Sequence, residues 1–453
     1  ASFAVSPMDG ASRWTIIDGV KYSLDSFHAR HPGGKSLLQL AEYRDSTYIF
    51  YAYHNNIDKA QKWLNALPIL STGHPKLYGE SMCEFHRDLK NSAKHHFASR
   101  GENSKVHKLS MLDVIFSVFG YAWSLRMILI SQLEWVSVFV PIFFVFAAKC
   151  SGLRHEAAHG LLSNSPTIND ILYRYVLSAL IPHTLPEHYA RYHTLSHHSY
   201  NSTPHDAELN IYAYIPQIDV SPWLEQILRR TYARWITVDG FQTLYSFIKS
   251  YTAAKDRPYT DADHVSRGYN FTSTSITIFL VVAMWGLLLS RASSIIRVAF
   301  IIFPAKISAN VVWNLVPELN HFQSELHYAD IKQKHSWAKR QAEVVCNFSF
   351  DSYAASTFFN WLTTGFTFHL EHHLFPGVSY LHFPQLSRVV KEVCKRHNVI
   401  YIEKNAVKDW TKIWSEPHAA KRRFFNTFRP IVTNDRHGCS NFLFEKPISI
   451  TQT

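Results

Sequence analysis

The spacing of apolar and polar residues divides the chain into two regimes. Near the start, Trp14-Thr15-Ile16-Ile17-Asp18-Gly19-Val20-Lys21-Tyr22 alternates around an Asp-Gly pair. That pair tolerates the positive backbone angles of a two-residue turn, so the stretch predicts a short β-hairpin opening a small soluble unit. A helical stretch with Leu37, Leu38, Leu40, Tyr48, Ile49 and Phe50 follows. Residues 68–110 are polar and rich in Lys and His, with Pro68 and Pro75 near the start, and read as a linker plus a helix leading to a membrane.

Beyond residue 110 long apolar runs replace the alternation. Met111 to Ile130 is apolar apart from Asp113 and Arg126. Trp135 to Ala148 is shorter than the roughly 20 residues a helical span needs, and is expected to continue as one helix through Cys150 and Leu153 toward His155. Phe271 to Leu289 and Ile295 to Val316, the latter with Pro304 and Lys306, complete four candidate spans. Short loops around Glu134 and around Arg291 to Ser294 make each pair a hairpin. Ile171 to Leu185 and Ala233 to Tyr251 are mixed in character and read as amphipathic helices on the membrane interface.

Composition changes this picture in a few respects. A chain of 453 residues is long for one soluble domain. Its slightly negative mean hydropathy argues against a wholly membranous protein. The net charge of +11 suits cytosolic loops beside anionic lipid. No basic helix, finger or aromatic-basic motif accompanies the charge, so nucleic acid is not an expected partner. Cys83, Cys150, Cys346, Cys394 and Cys439 are scattered without a C-x-x-C pair, which points to a reducing compartment. Ala1 to Gly10 has no basic stretch followed by an apolar one, and no cleavable signal peptide is expected there.

The candidate chemistry is carried by histidine. Phe368-His369-Leu370-Glu371-His372-His373-Leu374-Phe375-Pro376 places three imidazoles at i, i+3 and i+4, one face of a helix. Arg154-His155-Glu156-Ala157-Ala158-His159 gives an i, i+4 pair, and Tyr192-His193-Thr194-Leu195-Ser196-His197-His198 an i, i+4, i+5 set. Imidazole ligates first-row metals as a neutral base, and burying a core needs no such clusters. If one metal site uses all three clusters, an even number of spans must separate any two. The four runs satisfy this, with two before the first cluster and two between the second and third.

The pattern H-x3-H, H-x3-HH, H-x2-HH resembles the histidine boxes of the membrane-bound di-iron fatty acid desaturases and hydroxylases. The run from Glu371 to Pro376 resembles the front-end desaturases, which insert a double bond between an existing one and the carboxyl end and usually carry Gln where this chain has His369. Glu318-Leu319-Asn320-His321 resembles an Asn-His pair found before the third box in related desaturases. The resemblance thus implies two iron ions held by His155, His159, His193, His197, His198, His321, His369, His372 and His373, with no separate catalytic side chain. Glu156, Asp206 and Glu371, adjacent to the ligands, are candidate acceptors orienting imidazole N–H groups. Phe116, Phe119 and Phe143 are candidates to line an acyl tunnel.

His31-Pro32-Gly33-Gly34, with His54 following 23 residues later, resembles the cytochrome b5 domain. Tyr43-Arg44-Asp45-Ser46-Thr47 partly matches another segment of that family. The resemblance implies haem b clamped between His31 and His54, an electron carrier without an open position for oxygen.

Together, over about residues 14–404, the resemblances imply a small α+β cytochrome b5 domain followed by an all-α membrane desaturase domain. The units are the b5 domain (10–85), a linker and lead-in helix (86–110), the desaturase domain (111–404), and an unassigned basic tail (405–453). The desaturase domain is expected to have about four transmembrane helices plus cytosolic helices carrying the boxes. The implied activity is oxygen-dependent insertion of a cis double bond into a fatty acyl chain on CoA or lipid. Electrons would come from NADH-cytochrome b5 reductase, and the chain would be multi-pass in the endoplasmic reticulum membrane with haem and boxes on the cytosolic side. A hydroxylase or sphingolipid desaturase on the same scaffold is the alternative, as is a non-catalytic b5-related electron carrier. A carrier, however, has no reason to keep every box histidine.

Overall fold

The computed structural model describes residues 13–74, 82–181, 185–202, 206, 208, 271–310, 312, 316–323, 326, 336–417, 419, 420 and 423. The expected amphipathic segment 233–251, Pro75, Cys439 and most of the basic tail lie outside these residues.

The first unit begins with β1 (Trp14–Ile17) and β2 (Val20–Ser23), paired antiparallel from Trp14↔Ser23 to Ile17↔Val20. Asp18 and Gly19 at the turn both have positive φ, 53° and 78°, the twist a two-residue hairpin requires. Helices α1 (Lys35–Ala41), α2 (Thr47–Tyr53) and α3 (Ile57–Asn65) follow. Asn56 caps α3 by accepting from the Lys59 N–H at 3.1 Å. β3 (Ile69–Ser71) then returns to pair with β2, so the start of the expected linker belongs to the sheet. Ile17, Tyr22 and Leu64 form one small apolar cluster and Leu24, Phe27 and Leu38 another. This is the expected small α+β unit.

Helix α4 (Glu84–Arg100) is the expected lead-in, but it is also a packing element. It buries Phe85, Leu89, Ala93 and Phe97, lies against the helix Phe383–Arg396, and is tied to it by Arg396 and His397, both on Asp88.

The apolar region opens with α5 (Ser110–Ile130) and α6 (Leu133–Ala158), an antiparallel hairpin. On α5 the exposed residues Leu112, Ile115, Phe116, Phe119 and Trp123 form a helical stripe, whereas Asp113, Ser117, Gly120 and Ser124 are buried. That polarity is the reverse of a water-soluble helix and is what a lipid-facing one needs. At 26 residues α6 is about 39 Å long, enough to cross a bilayer and carry its last turn beyond it; the short second run does continue to His155. Within the pair, buried Lys149 donates to Asp113 (3.0 Å), the Trp361 carbonyl (2.7 Å) and the Tyr380 hydroxyl (3.1 Å). A charged pair inside a span is tolerated when so partnered.

Helix α7 (Pro166–Ile171) continues as a π-helical stretch, Leu172–Leu177, packed on α6. α8 (Pro186–Tyr189) runs into a second π-helical stretch, Ala190–His197. α9 (Phe271–Ser290) and α10 (Ile295–Asn310) form the second apolar pair. Among the described residues three helices are long and apolar enough to cross a membrane: Ser110–Ile130, Leu133–Ala158 and Thr272–Ser290. The fourth run is helical over Ile295–Asn310 among the described residues, about 24 Å; residues 311 and 313–315 of its expected extent to Val316 lie outside them. α10 buries Ile301, Ala305 and Ala309 at four-residue intervals alongside α6.

The remaining elements are short: α11 (Val316–His321), α12 (Trp337–Val344), β4 (Asn347–Ser349), α13 (Tyr353–Thr363), α14 (His369–Leu374), α15 (Phe383–Arg396) and β5 (Glu403–Asn405), parallel to β4. One apolar cluster runs from Leu40, Tyr48 and Ala52 of the first unit through Phe85 and Leu153 to Leu370 and Phe383. The first unit is therefore packed on the rest of the molecule.

Candidate metal centre

All nine box and Asn-His histidines converge, each at most 2% exposed. His155 lies in the last turn of α6 and His159 caps it, one turn apart. Gly152, one turn earlier, admits the loop at Thr364: a Cβ there would lie 2.2 Å from the Thr364 hydroxyl oxygen. That loop leads through a single 3₁₀ turn, Phe366–Phe368, into α14, which carries His369, His372 and His373. His321 arrives on the last residue of α11.

The second box departs from the α-helical spacing read in the sequence. At about 100° per residue, His193 and His198 would point well apart on an α-helix. The π-helical stretch widens the turn, and their Nε2 atoms lie 3.3 Å apart. The carbonyl of His198 accepts from Trp337 Nε1 at 3.0 Å and Gln341 Nε2 at 3.3 Å.

Two groups result. His155, His159, His193 and His372 form one, and His197, His321, His369 and His373 the other, the potential ligand atoms of each within 4.8 Å of one another. In the first, His155 Nε2 lies 2.9 Å from His193 Nε2, 3.1 Å from His372 Nε2 and 3.3 Å from His159 Nε2. In the second, His369 Nε2 lies 2.9 Å from His321 Nε2 and 3.2 Å from His373 Nε2. The His198 ring lies between, 4.6 Å from that of His372 and 4.8 Å from that of His373.

The outward nitrogens decide which lone pair turns inward. His193 Nδ1 donates to Glu208 at 2.5 Å, His197 Nδ1 to Asp206 at 3.0 Å, and His321 Nδ1 to the Val344 carbonyl at 3.3 Å. A proton held on Nδ1 leaves the Nε2 lone pair pointing inward. Lone pairs crowded together repel unless a cation lies among them. Nitrogens sharing one ion through bonds of about 2 Å are roughly 3 Å apart, which is the spacing observed. Burial, reinforced by the neighbouring rings, holds His193, His198, His321, His369, His372 and His373 well below the usual imidazole range, so they are neutral, the form in which imidazole can ligate. His197 is the exception. Burial lowers its affinity for a proton, but Asp206 and Glu208 outweigh burial and raise it.

Of the three carboxylates expected to orient imidazoles, only Asp206 does so. Glu156 accepts the Tyr380 N–H at 3.2 Å and lies 3.9 Å from His155 Nδ1, too far for a hydrogen bond. Glu371 accepts from Asn347 (2.8 Å) and Tyr401 (2.9 Å). Burial pushes its carboxyl up to about 7. Glu208 was not singled out in the sequence; its position two residues beyond Asp206 was the available signal. The tunnel reading is corrected as well: Phe116 and Phe119 are on the lipid-facing stripe, 53% and 68% exposed, and Phe143 packs on Tyr121 in the core.

A second histidine site lies in the first unit. The rings of His31 and His54 lie edge-on to one another, their centres 6.2 Å apart and their planes at 88°. His31 Nδ1 donates to the Gly34 carbonyl (3.2 Å) and His54 Nδ1 to the Phe50 carbonyl (2.8 Å), which leaves the lone pair of each ring on Nε2. The rings adjoin a cavity of about 480 Å³ lined by Leu24, Phe27, Leu38, Phe50, Trp63 and Leu67. Such a volume is in the range of cofactor sites. The lining of the cavity also includes His159. Tyr53, also unmarked by any sequence signal, puts its hydroxyl 2.5 Å from His159 Nδ1.

A profile of the fatty acid desaturase family matches residues 107–405. The chain belongs to the fatty acid desaturase family. This desaturase is an oxidoreductase with membrane association and a candidate metal centre. It is 24% identical to the fatty acid desaturase 2-like protein FADS2B of Mus musculus, over 88% of this chain and 80% of that one. It is likewise 24% identical to acyl-lipid (8-3)-desaturase B of Dictyostelium discoideum, over 86% of each chain. With acyl-lipid (9-3)-desaturase of Borago officinalis the identity is 23%, over 86% of this chain and 85% of the other.

Proposed function

We propose that this desaturase inserts a cis double bond into a fatty acyl chain, at a front-end position, using two irons held by its nine histidines. Electrons would reach them through haem b bound between His31 and His54. The observation that carries the metal reading is the convergence of neutral Nε2 lone pairs while Nδ1 of His193, His197 and His321 is engaged outward. His155, His159, His193 and His372 would hold one ion, His197, His321, His369 and His373 the other, with His198 between them. The metals supply oxygen activation, and the haem supplies single electrons. The chain's own task is to orient the imidazoles, hold Nδ1 protons on Asp206, Glu208 and Val344, and keep bulk water out.

The haem reading is supported by the two inward Nε2 atoms, by the 6.2 Å ring separation that one ion with bonds of about 2 Å on each side would bridge, and by the apolar cavity beside them. Residues 10–85 are then the b5 domain, 86–110 the linker and lead-in helix, and 111–404 the desaturase domain. α10 serves as the fourth crossing, which its packing along α6 supports. With four crossings, haem and boxes share the cytosolic face of the endoplasmic reticulum membrane, where NADH-cytochrome b5 reductase reaches the haem. The names of the Dictyostelium and Borago relatives favour acyl-lipid as the carrier.

The test is the fatty-acid profile, by gas chromatography with mass spectrometry, of a eukaryotic host expressing the chain beside one expressing His372→Ala. A new unsaturated chain made only by the intact protein, its bond on the carboxyl side of an existing one, is expected. A hydroxylated or sphingoid product would transfer the scaffold to that substrate class. Product from His372→Ala would remove the metal assignment.

A further inference from the structure

The two histidine sites are in contact through one side chain. Tyr53 is the last residue of α2 and is bonded covalently to His54. Its hydroxyl lies 2.5 Å from Nδ1 of His159, and its ring stacks on that imidazole at 5.7 Å and 23°. Since Nε2 of His159 faces the metal group, Nδ1 carries the proton and donates it to the tyrosine oxygen. Asp206 and Glu208 perform this service for His197 and His193; for His159 it comes from the first unit.

The backbone around Tyr53 is built to keep this contact. A Cβ on Gly377 would lie 2.4 Å from the Tyr53 carbonyl oxygen, so only glycine permits the two chains to approach so closely. Asn55 donates to the Gly377 carbonyl at 3.0 Å and contacts Ser104 at 3.1 Å. Buried Lys90 donates to the Ala52 carbonyl at 2.6 Å. These bonds flank Tyr53 on both sides along the chain.

We propose that Tyr53 is a positioning residue that fixes the His159 ring and provides the route by which electrons pass from the His31–His54 site to the first histidine group of the same chain. The proposal rests on the haem and di-iron reading above. Each transfer moves one electron: the haem iron goes from ferrous to ferric, one iron of the first group goes from ferric to ferrous, and no proton is exchanged. The first unit is on this account a fixed internal donor, already seated against its acceptor.

The test follows the electron without turnover. In the full chain loaded with haem and iron, the haem is reduced anaerobically, and its reoxidation by the ferric centre is followed by absorbance without oxygen or acyl substrate. Tyr53→Phe keeps the ring and removes the hydroxyl; with rates compared at equal non-haem iron loading, the rate is expected to fall on the order of tenfold or more, with haem content and haem midpoint potential unchanged. Tyr53→Leu, which also removes the stacked ring, slows transfer further. Tyr51→Phe, in the same helix as Tyr53 but with its hydroxyl on Asp18 of the hairpin turn, leaves the rate unchanged. Transfer at the parent rate in either Tyr53 variant overturns the proposal. A parent chain that binds no haem or no iron defeats the underlying functional reading, and this proposal with it.

Discussion

The two histidine sites solve one problem by different means. At both, Nδ1 protons are engaged outward so that Nε2 is free to ligate. In the cleft the acceptors are neutral carbonyls of Gly34 and Phe50, within four residues of their histidines. In the buried centre Asp206 and Glu208 serve, and they lie on a segment beyond the second box. A carboxylate makes the imidazole a stronger base than a carbonyl does, which would suit the di-iron centre proposed for this site. The cleft is assembled from a short stretch of chain, whereas the centre draws on α6, the second box, α11 and α14. Loss of ligands should therefore separate the sites, and loss of outward acceptors should weaken one site only.

The largest expected effect is that separation. His31→Ala should empty the cleft of haem and leave non-haem iron in place, and His369→Ala should do the reverse; metal analysis and the haem absorbance band read both. A variant that lost both groups together would show that the sites are not independent. Next, Glu208→Ala should weaken metal binding about 10- to 100-fold with the haem band unchanged, measured as iron retained against a chelator. An unaltered affinity would mean that the 2.5 Å contact with His193 does not support the ligand.

A third prediction concerns acid. Burial lowers His54 to about 4 in the folded chain, against about 6.5 when unfolded. As pH falls below 6.5 the unfolded chain takes up this proton first, so haem-free protein loses stability between 6.5 and 4 and no further below that. The loss is about 3 kcal/mol, read as a fall in the thermal midpoint that His54→Gln abolishes. The smallest effect is expected at Asn347, which accepts the Leu370 N–H at 2.7 Å and donates to Glu371 at 2.8 Å, holding the first turn of α14. Asn347→Ala should cost about 1–3 kcal/mol in a denaturation experiment and leave the cleft unaffected.

What was legible in the sequence was local. Asp18-Gly19 sets its own hairpin, and apolar runs of sufficient length define α5, α6 and α9, since backbone angles and burial depend on near neighbours. The spacing of His155 with His159, and of His369 with His372 and His373, marked the faces that converge for the same reason. The π-helical turns of the second box departed from the reading, because packing against other elements decided them.

The sequence by itself determined which side chains could bind metal, because helical spacing and imidazole chemistry are properties of short stretches. Only the tertiary structure decided how they are shared. His372 and His373 are neighbours in the chain, yet about 100° of helical rotation sends one to the group of His155 and the other to the group of His321. Glu208 and Tyr53 acquired their roles in the same way, by being brought against rings distant in sequence, where only packing selects the partner of an imidazole's outer nitrogen.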